Sequence, residues 1–257
     1  MTAIVPAQLQ KARALAHSVI QWPARVANSF APHEPDHCHL ALRWDDERRT
    51  LCSREFDDGL SLDLRMPDLH MQFAEHGKLV PHVMNIEDHT PAEVEAWLLV
   101  ELLHRNIGYD RFSKDLPYVV PGLLTGDSAD YSPAACMPAL VALTDWLHQG
   151  AAILGQLAPA DAVLHCWPET FQIGRLVPLN SKGSKARPPL RVGVSAGDAS
   201  CPEPHFFVTP DGPGGPAAPH PGAVLTMRRI AAERISRDGV AEFLKHAIAA
   251  NGNGSPL

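Results

Sequence analysis

The sequence predicts an α+β fold in which one or two mainly antiparallel sheets pack against about four helices. Two patterns lead to this prediction: apolar residues recur at helical spacing in some segments and alternate with polar residues in others. Connections rich in proline and glycine separate these segments. We expect residues 1–257 to form a single domain. It could be built from two α/β sub-halves, about 1–108 and 132–250, joined by a proline- and glycine-rich connection.

Four segments carry the helical signal. In the first, residues 7–30, the pattern passes Pro23, a residue that should kink or split a helix. The second begins at the sequence Thr-Pro-Ala-Glu at 90–93, which has the form of a capping box, and should run to about Asn106. The third follows Ser132 with an apolar stripe from Cys136 to Leu154, and the last spans about 236–250.

Three regions carry the alternating pattern of strands. Residues 37–73 read as an antiparallel meander of three or four strands with a hairpin turn at 45–49. Residues 165–175 and 190–209 form two further extended stretches, and 222–226 could add one more strand. Each half of the chain therefore contributes strands, and these are expected to form two sub-sheets of one domain.

Bulk composition narrows the class of protein. The apolar content of 45% is ordinary for a chain with a full core, and the formal charge of −7 argues against general nucleic-acid binding. No apolar run approaches the roughly 18 residues needed to span a bilayer, and the start of the sequence lacks the pattern of a signal peptide. Five scattered cysteines favour reduced thiols. We therefore expect a cytoplasmic protein with a small-molecule ligand or substrate.

A candidate site lies in the third quarter of the chain. If residues 165–175 form one strand, Glu169 shares an apolar face with Trp167 and Phe171. Burial there would raise the pKa of Glu169 toward the range of a general acid or base unless a cation paired with it. On the other stretch, His205 shares a face with Phe207. We predict that these two strands bring Glu169 and His205 together in a water-poor pocket.

The predicted roles divide by chemistry. Glu169 and His205 would form the acid–base pair, with Glu203 and Asp198 orienting partners or substrate, and the aromatic lining would be Trp167, Phe171 and Phe207. The alternative is that these groups have purely structural roles. Glu169 could form a structural ion pair or reach water, and Asp198 could simply close a turn after a strand that ends near Ser195.

Two histidines suggest a metal site. His37 and His39 would lie about 7 Å apart on one side of a strand, and one carboxylate could complete a site for a mononuclear divalent metal, iron or zinc. The fourteen histidines of the chain are the compositional hint of such chemistry. The alternative is that both imidazoles are solvated on the wet face of the sheet.

An ordered set of short motifs resembles an uncharacterised bacterial family. The motifs are Trp-Pro-Glu-Thr-Phe-Gln at 167–172, Ser-Ala-Gly-Asp at 195–198, Glu-Pro-His-Phe-Phe at 203–207 and Gly-Ala-Val-Leu at 222–225. Members of that family carry Trp-Pro-(His/Glu)-His-Phe-Asp, Ser-Pro-Gly-Asp and Glu-Pro-Tyr at the corresponding places. The resemblance supplies no reaction to carry over to this chain.

This chain departs from the family pattern at three positions. Thr170 and Gln172 replace a histidine and an aspartate, and His205 replaces a tyrosine. Two functions follow as hypotheses. The chain is either a small-molecule enzyme that uses the Glu169–His205 pair, or a binding or scaffold protein that kept the fold and lost the reactive pair.

Overall fold

The computed structural model of the chain describes residues 6–159, 162–179, 188–198, 200–211 and 222–252. Contacts divide the chain into two units. The first comprises Met1–Asp145 and Cys166–Glu169, and the second comprises Trp146–His165 and Thr170–Leu257. These boundaries differ from the predicted sub-halves, because residues 109–131 group with the first unit and the segment Cys166–Glu169 returns to it.

The first unit contains an antiparallel meander. Its strands are β1 (Leu42–Asp45), β2 (Thr50–Cys52), β3 (Leu60–Arg65), β4 (His70–Glu75) and β5 (Lys78–Leu79). Each strand pairs with the next one along the chain. The predicted hairpin turn between β1 and β2 is confirmed and ends at Arg49, whose φ of 51° is left-handed. The meander predicted over 37–73 is therefore confirmed from Leu42 onward, with a fifth strand added.

Two helices belong to the first unit, α1 (Pro6–Phe30) and α2 (Pro91–His104). The buried face of α1 includes Ala16, Val19 and Ile20, each 0% exposed. The capping box predicted for α2 is confirmed: the Thr90 hydroxyl accepts from the Glu93 N–H, and the Glu93 carboxylate accepts from the Thr90 N–H. Pro23 does not split α1, which is one continuous helix.

A third helix, α3 (Met137–Gln156), begins in the first unit and ends in the second. Its predicted core face is confirmed, because every residue of the stripe is buried. These residues are Cys136, Ala139, Leu140, Leu143, Leu147, Ala151 and Leu154.

The second unit holds a second antiparallel meander. Its strands are β7 (Gln172–Val177), β8 (Leu190–Ser195), β9 (His205–Pro210) and β10 (Ala223–Thr226), and successive strands pair. Two helices follow, α4 (Met227–Glu233) and α5 (Arg237–Gly252). The predictions of β10 and α5 are confirmed. Helices and antiparallel strands in both units confirm the α+β class.

The interpretation of residues 165–175 as one strand is wrong. The chain forms β6 (His165–Trp167), turns over 168–171, and continues as β7. Phe171 closes this turn with a left-handed φ of 53°, a conformation that interrupts strand alternation. Glu169 therefore lies in a turn and is half-buried, and it does not alternate with Trp167 along a strand.

Two further local predictions are corrected. His37 and His39 do not lie on a strand: His37 is left-handed, with a φ of 58°, and a 3₁₀ turn spans Cys38–Leu40. The helix α4 was not predicted, although Thr226 provides its cap by accepting from the Arg229 N–H. Across the described residues, no helix is both long enough and apolar enough to pass through a bilayer.

Candidate functional site

A row of four polar side chains crosses the sheet of the second unit. Gln172 on β7 is opposite Ser195 on β8, Ser195 is opposite His205 on β9, and His205 is opposite Thr226 on β10. Directly opposed residues of antiparallel strands project from the same face. Three of the four side chains are almost completely buried: Gln172 is 6% exposed, Ser195 0% and His205 3%. Polar groups that are this deeply buried require hydrogen-bond partners.

The opposite face of this sheet is apolar and packs against α3. Val194 and Phe206 are cross-strand partners on it. The Trp146 ring of α3 meets the Phe206 ring edge-on, with centroids 5.2 Å apart, and the Trp146 indole N–H donates to the Ser195 carbonyl at 3.0 Å. This packing directs the apolar side chains of β8 and β9 toward α3. The polar row therefore lies on the other face of the sheet.

Each ring nitrogen of His205 faces an oxygen atom, and one of the two contacts is a hydrogen bond. Its Nδ1 lies 2.9 Å from the carbonyl oxygen of Glu203. A carbonyl can only accept, so Nδ1 carries a proton and the neutral ring keeps its lone pair on Nε2. That Nε2 lies 3.6 Å from the Oδ2 atom of Asp198. The ring is thus oriented by the backbone, and its basic nitrogen faces a carboxylate.

The two carboxylate oxygens of Asp198 make different contacts. Oδ1 accepts from the Ser200 N–H at 2.9 Å, the Ser200 hydroxyl at 2.6 Å and the Cys201 N–H at 2.8 Å, which closes the loop after β8. Oδ2 is directed toward His205 and lies 3.4 Å from Nε2 of Gln172. The predicted turn closed by the Asp198 side chain is therefore confirmed.

The charge state of Asp198 follows from these contacts. Burial of the carboxylate acts to raise its pKa, but the hydrogen bonds from Ser200 and Cys201 and the positive charge available on His205 outweigh burial. The net result is a pKa below the usual value of an aspartate. Asp198 is therefore ionised at neutral pH and can stabilise a protonated His205.

Phe207 forms an apolar wall beside His205. The two rings meet edge-on, with centroids 6.2 Å apart and planes inclined at 64°. The Phe207 ring also lies over Gly193 of β8, where a Cβ atom would come within 2.7 Å of the ring. Gly193 is also opposite Gly174 on β7. The absence of a side chain at Gly193 lets the Phe207 ring lie close to β8.

The remaining predicted residues take other places. The Glu203 side chain turns to the exposed Arg228, at 3.3 Å, so Glu203 contributes to the site through its backbone carbonyl. Phe171 is buried in the second unit, while Trp167 and Glu169 belong to the first. The structure brings together Asp198, His205 and Phe207. Because Glu169 and His205 belong to different units, their pairing stays a prediction.

Glu169 has its own surroundings in the first unit. The preceding carbonyl, of Pro168, accepts from the Gln21 amide at 2.9 Å and lies 2.8 Å from Nε2 of His17. The Tyr118 hydroxyl donates to Oε1 of Gln21 at 3.0 Å. Burial, followed by the negative charge of Glu169, raises the pKa of Tyr118. This turn is therefore anchored to α1 and placed near a neutral phenol.

The predicted metal pair, His37 and His39, lies in a cluster of imidazoles. The His37 and His39 ring centroids are 6.0 Å apart, and His39 stacks on His33 at 4.7 Å. Nδ1 of His39 accepts from the Glu34 N–H at 3.1 Å, which leaves the proton of the neutral ring on its buried Nε2. A protonated Nε2 cannot bind a metal, and this hydrogen bond therefore counts against His39 as a ligand.

Three members of the polar row, Gln172, Ser195 and Thr226, were not predicted as site residues. Gln172 was interpreted as the loss of a family aspartate, and Ser195 as the end of a strand. Ser195 ends β8 where the loop of Asp198 begins, and Gln172 begins β7 directly opposite Ser195. Cross-strand register would have shown their position, but register depends on loop geometry and cannot be fixed from one sequence.

Comparisons of the chain with known protein families, with curated proteins and with solved structures each found no match. The resemblance to an uncharacterised bacterial family therefore stays a prediction from the motifs.

Proposed function

We propose that the chain is a small-molecule enzyme in which His205 is the acid–base residue and Asp198 stabilises its protonated form. The observation that supports this most directly is the orientation of His205. Its Nδ1 donates to the Glu203 carbonyl at 2.9 Å, and its Nε2 lies 3.6 Å from an ionised carboxylate. This arrangement of a buried imidazole and a partly buried carboxylate is one that enzymes use to move protons.

The proposed chemistry uses only these groups. The lone pair on Nε2 of His205 takes a proton from the substrate, and the carboxylate of Asp198 offsets the charge that forms on the ring. Because 3.6 Å is longer than a direct hydrogen bond, both atoms can instead hydrogen-bond to one water molecule or one small substrate group placed beside them. Gln172 offers an amide N–H toward the same carboxylate oxygen, and Phe207 supplies an apolar contact.

The location is part of the same proposal. All five cysteines are unpaired thiols. Unpaired thiols are typical of proteins from a reducing compartment, which favours the cytoplasm. The predicted partner is a small molecule, and the formal charge of −7 gives no support to general nucleic-acid binding.

A second function is favoured by the other oxygen of Asp198. Oδ1 accepts three hydrogen bonds from Ser200 and Cys201, a purely structural task. If the His205 contact is also structural, the chain is a non-catalytic binding or scaffold protein. In that reading the polar row stabilises the loop and no proton moves.

Turnover assays on a panel of small carboxylates, sugar phosphates and nucleosides would separate these functions. His205→Asn keeps a donor toward the Glu203 carbonyl but has no basic nitrogen, so it should lower kcat by about a hundredfold or more. Arg228→Ala, which changes only an exposed partner of the Glu203 side chain, is the matched control and should keep full activity.

The outcomes are distinct. Full activity in His205→Asn would overturn the assignment of His205. A ligand that stabilises the wild-type protein and both variants equally, without turnover, would favour the binding protein. Glu169→Gln tests the predicted Glu169–His205 pair, because a loss equal to that of His205→Asn would support it.

A further inference from the structure

We infer that His82, Glu101 and His104, all in the first unit, form a binding site for a divalent transition metal, with Zn²⁺ the best fit. One ligand atom from each side chain lies within 4.8 Å of the other two. This site is separate from His205 and independent of the proposed function. It also differs from the predicted pair His37 and His39.

The geometry centres on one carboxylate oxygen. Nδ1 of His82 lies 3.2 Å from Oε1 of Glu101, and Nδ1 of His104 lies 3.9 Å from the same oxygen. Ligand atoms bound to a common tetrahedral Zn²⁺ at about 2.0–2.2 Å are roughly 3.3–3.6 Å apart. The separation of 3.9 Å is too long for a hydrogen bond but close to that spacing. A small rotation of the exposed His104 ring would complete the set.

Glu101 is a buried anion that is already fixed in place. Its side chain is 4% exposed, and Oε2 accepts from Nη1 of Arg105 at 2.7 Å. The same nitrogen donates to the Glu101 carbonyl at 2.8 Å, and the Arg105 guanidinium lies over the Phe73 ring at 4.7 Å. Oε2 is thus committed to Arg105, while Oε1 points to the two imidazoles. Rigid orientation of a ligating carboxylate by a hydrogen-bonding neighbour is typical of metal sites.

His82 is also held in position by its neighbours. Before His82, the Val80 N–H donates to the Phe73 carbonyl at 3.0 Å. On the other side Met84 and Met71 exchange two backbone hydrogen bonds, of 2.8 and 3.0 Å. Between them His82 has a left-handed φ of 73°, an uncommon conformation for a residue other than glycine. The segment therefore presents the imidazole toward α2.

The chemistry of the donor set fits zinc. Two imidazole nitrogens and one carboxylate oxygen are ligands that Zn²⁺ accepts, and three protein ligands leave one position for water. The His82 and His104 side chains are 64% and 58% exposed, so a metal can enter from solvent. The positive charge of Arg105 is balanced in part by Glu75, whose Oε1 lies 3.8 Å from the guanidinium. A bound metal would join the His82 segment to the end of α2.

The sequence carries a signal for this site. Glu101 and His104 are three residues apart on α2, which places both on one face of the helix. The contribution of His82 could not be found in the same way, because it depends on how the segment after β5 folds back on β4.

Zinc titration of the full-length chain, purified without a histidine tag, tests the inference. A chromophoric chelator in competition should report one tightly bound equivalent in the wild type. His82→Ala and His104→Ala should each weaken binding by at least about tenfold, and the double variant should abolish it. Both residues are exposed, so the fold should survive these changes. At saturating Zn²⁺ the wild-type melting temperature should rise by about 5 °C, and that of the double variant should not.

A matched control separates this site from a second group of possible ligands, Glu34, Asp36 and Cys38. Cys38→Ser should retain the tight equivalent, and Co²⁺ bound to the wild type should give no thiolate-to-metal charge-transfer band. Zinc binding that is equal in the wild type and in the double variant would overturn the inference, as would loss of the tight equivalent in Cys38→Ser.

Discussion

Asp198 Oδ2 lies 3.6 Å from Nε2 of His205, and the other oxygen of the same carboxylate closes the loop after β8. One side chain therefore couples the loop conformation to the charge of the imidazole. Because the hydrogen bonds that Asp198 accepts are stronger when the carboxylate is ionised, any condition that protonates Asp198 should weaken both the loop and the pairing.

The first prediction concerns the pH dependence of stability. The folded-state pKa of Asp198 is below that of an unfolded aspartate, about 3.9. A carboxylate whose pKa is lower in the folded state stabilises the fold fully at pH values above its unfolded-state pKa. This stabilisation is lost as the pH falls through its folded-state pKa. The free energy of unfolding of Asp198→Asn should therefore be lower than that of the wild type at pH 7, and the gap should narrow below about pH 4.

Urea unfolding between pH 7 and pH 3 measures this gap. The exposed Glu242 provides a control, since Glu242→Gln also removes one negative charge but should show no comparable gap. A constant difference between Asp198→Asn and the wild type at all pH values would show that the carboxylate charge is not what holds the loop.

The second prediction concerns a buried carboxylate in the first unit. Asp63 is 3% exposed; it accepts from Nη1 of Arg48 at 3.0 Å and from the Ser61 hydroxyl at 3.0 Å. Arg48→Met would leave this carboxylate without its cation. We expect a loss of about 2 kcal/mol, less than for a fully buried pair because the Arg48 side chain is 30% exposed.

Chemical denaturation of Arg48→Met beside Arg65→Met measures the effect of burial. Arg65 pairs with Asp68 at the surface, so its replacement should cost no more than about 0.5 kcal/mol. Equal losses in the two variants would contradict the role assigned to burial at Asp63.

Local signals predicted much of the fold, because caps and periodicity act within a few residues. The capping box at Thr90 and the apolar stripe of α3 are confirmed at the predicted residues. The turn after Trp167 was missed because apolar and polar residues keep alternating through it. Only the left-handed backbone of Phe171 interrupts the strand. A non-glycine residue at positive φ gives no warning in the sequence.

The site was predictable only in part, for a related reason. His205, Asp198 and Phe207 were found from their chemistry and their short spacing along the chain. Gln172 joins them through the register of β7 with β8, a property of the assembled sheet. His82 reaches Glu101 through a backbone reversal, and no periodicity encodes that reversal.

The third prediction concerns the cap of α2. The Thr90 hydroxyl accepts from the Glu93 N–H at 3.2 Å, an N–H that has no partner within the helix. Thr90→Ala should therefore lower the free energy of unfolding by about 1 kcal/mol, while Thr90→Ser keeps the hydroxyl and should cost less. Thermal or urea unfolding of the two variants checks this. A Thr90→Ser variant as unstable as Thr90→Ala would show that the methyl group matters more than the cap.

The fourth prediction concerns the packing of α3 on the second sheet. Gly150 lies directly over Val194, where a Cβ atom would come within 2.7 Å of the valine side chain. The overlap in Gly150→Ala should lower the free energy of unfolding by about 1–3 kcal/mol. The helix preference of alanine over glycine should offset about 0.5–1 kcal/mol of this loss. Val194→Ala alone should cost about 2 kcal/mol, because it leaves a cavity.

The double variant distinguishes overlap from general damage. In Gly150→Ala/Val194→Ala the new methyl group occupies space that the valine vacated, so the combined loss should fall short of the sum of the single losses by about 1 kcal/mol. A double-mutant cycle from urea unfolding measures this coupling. If the two losses simply add, Gly150 and Val194 do not interact, and the small residue in α3 is required for some reason other than close approach to β8.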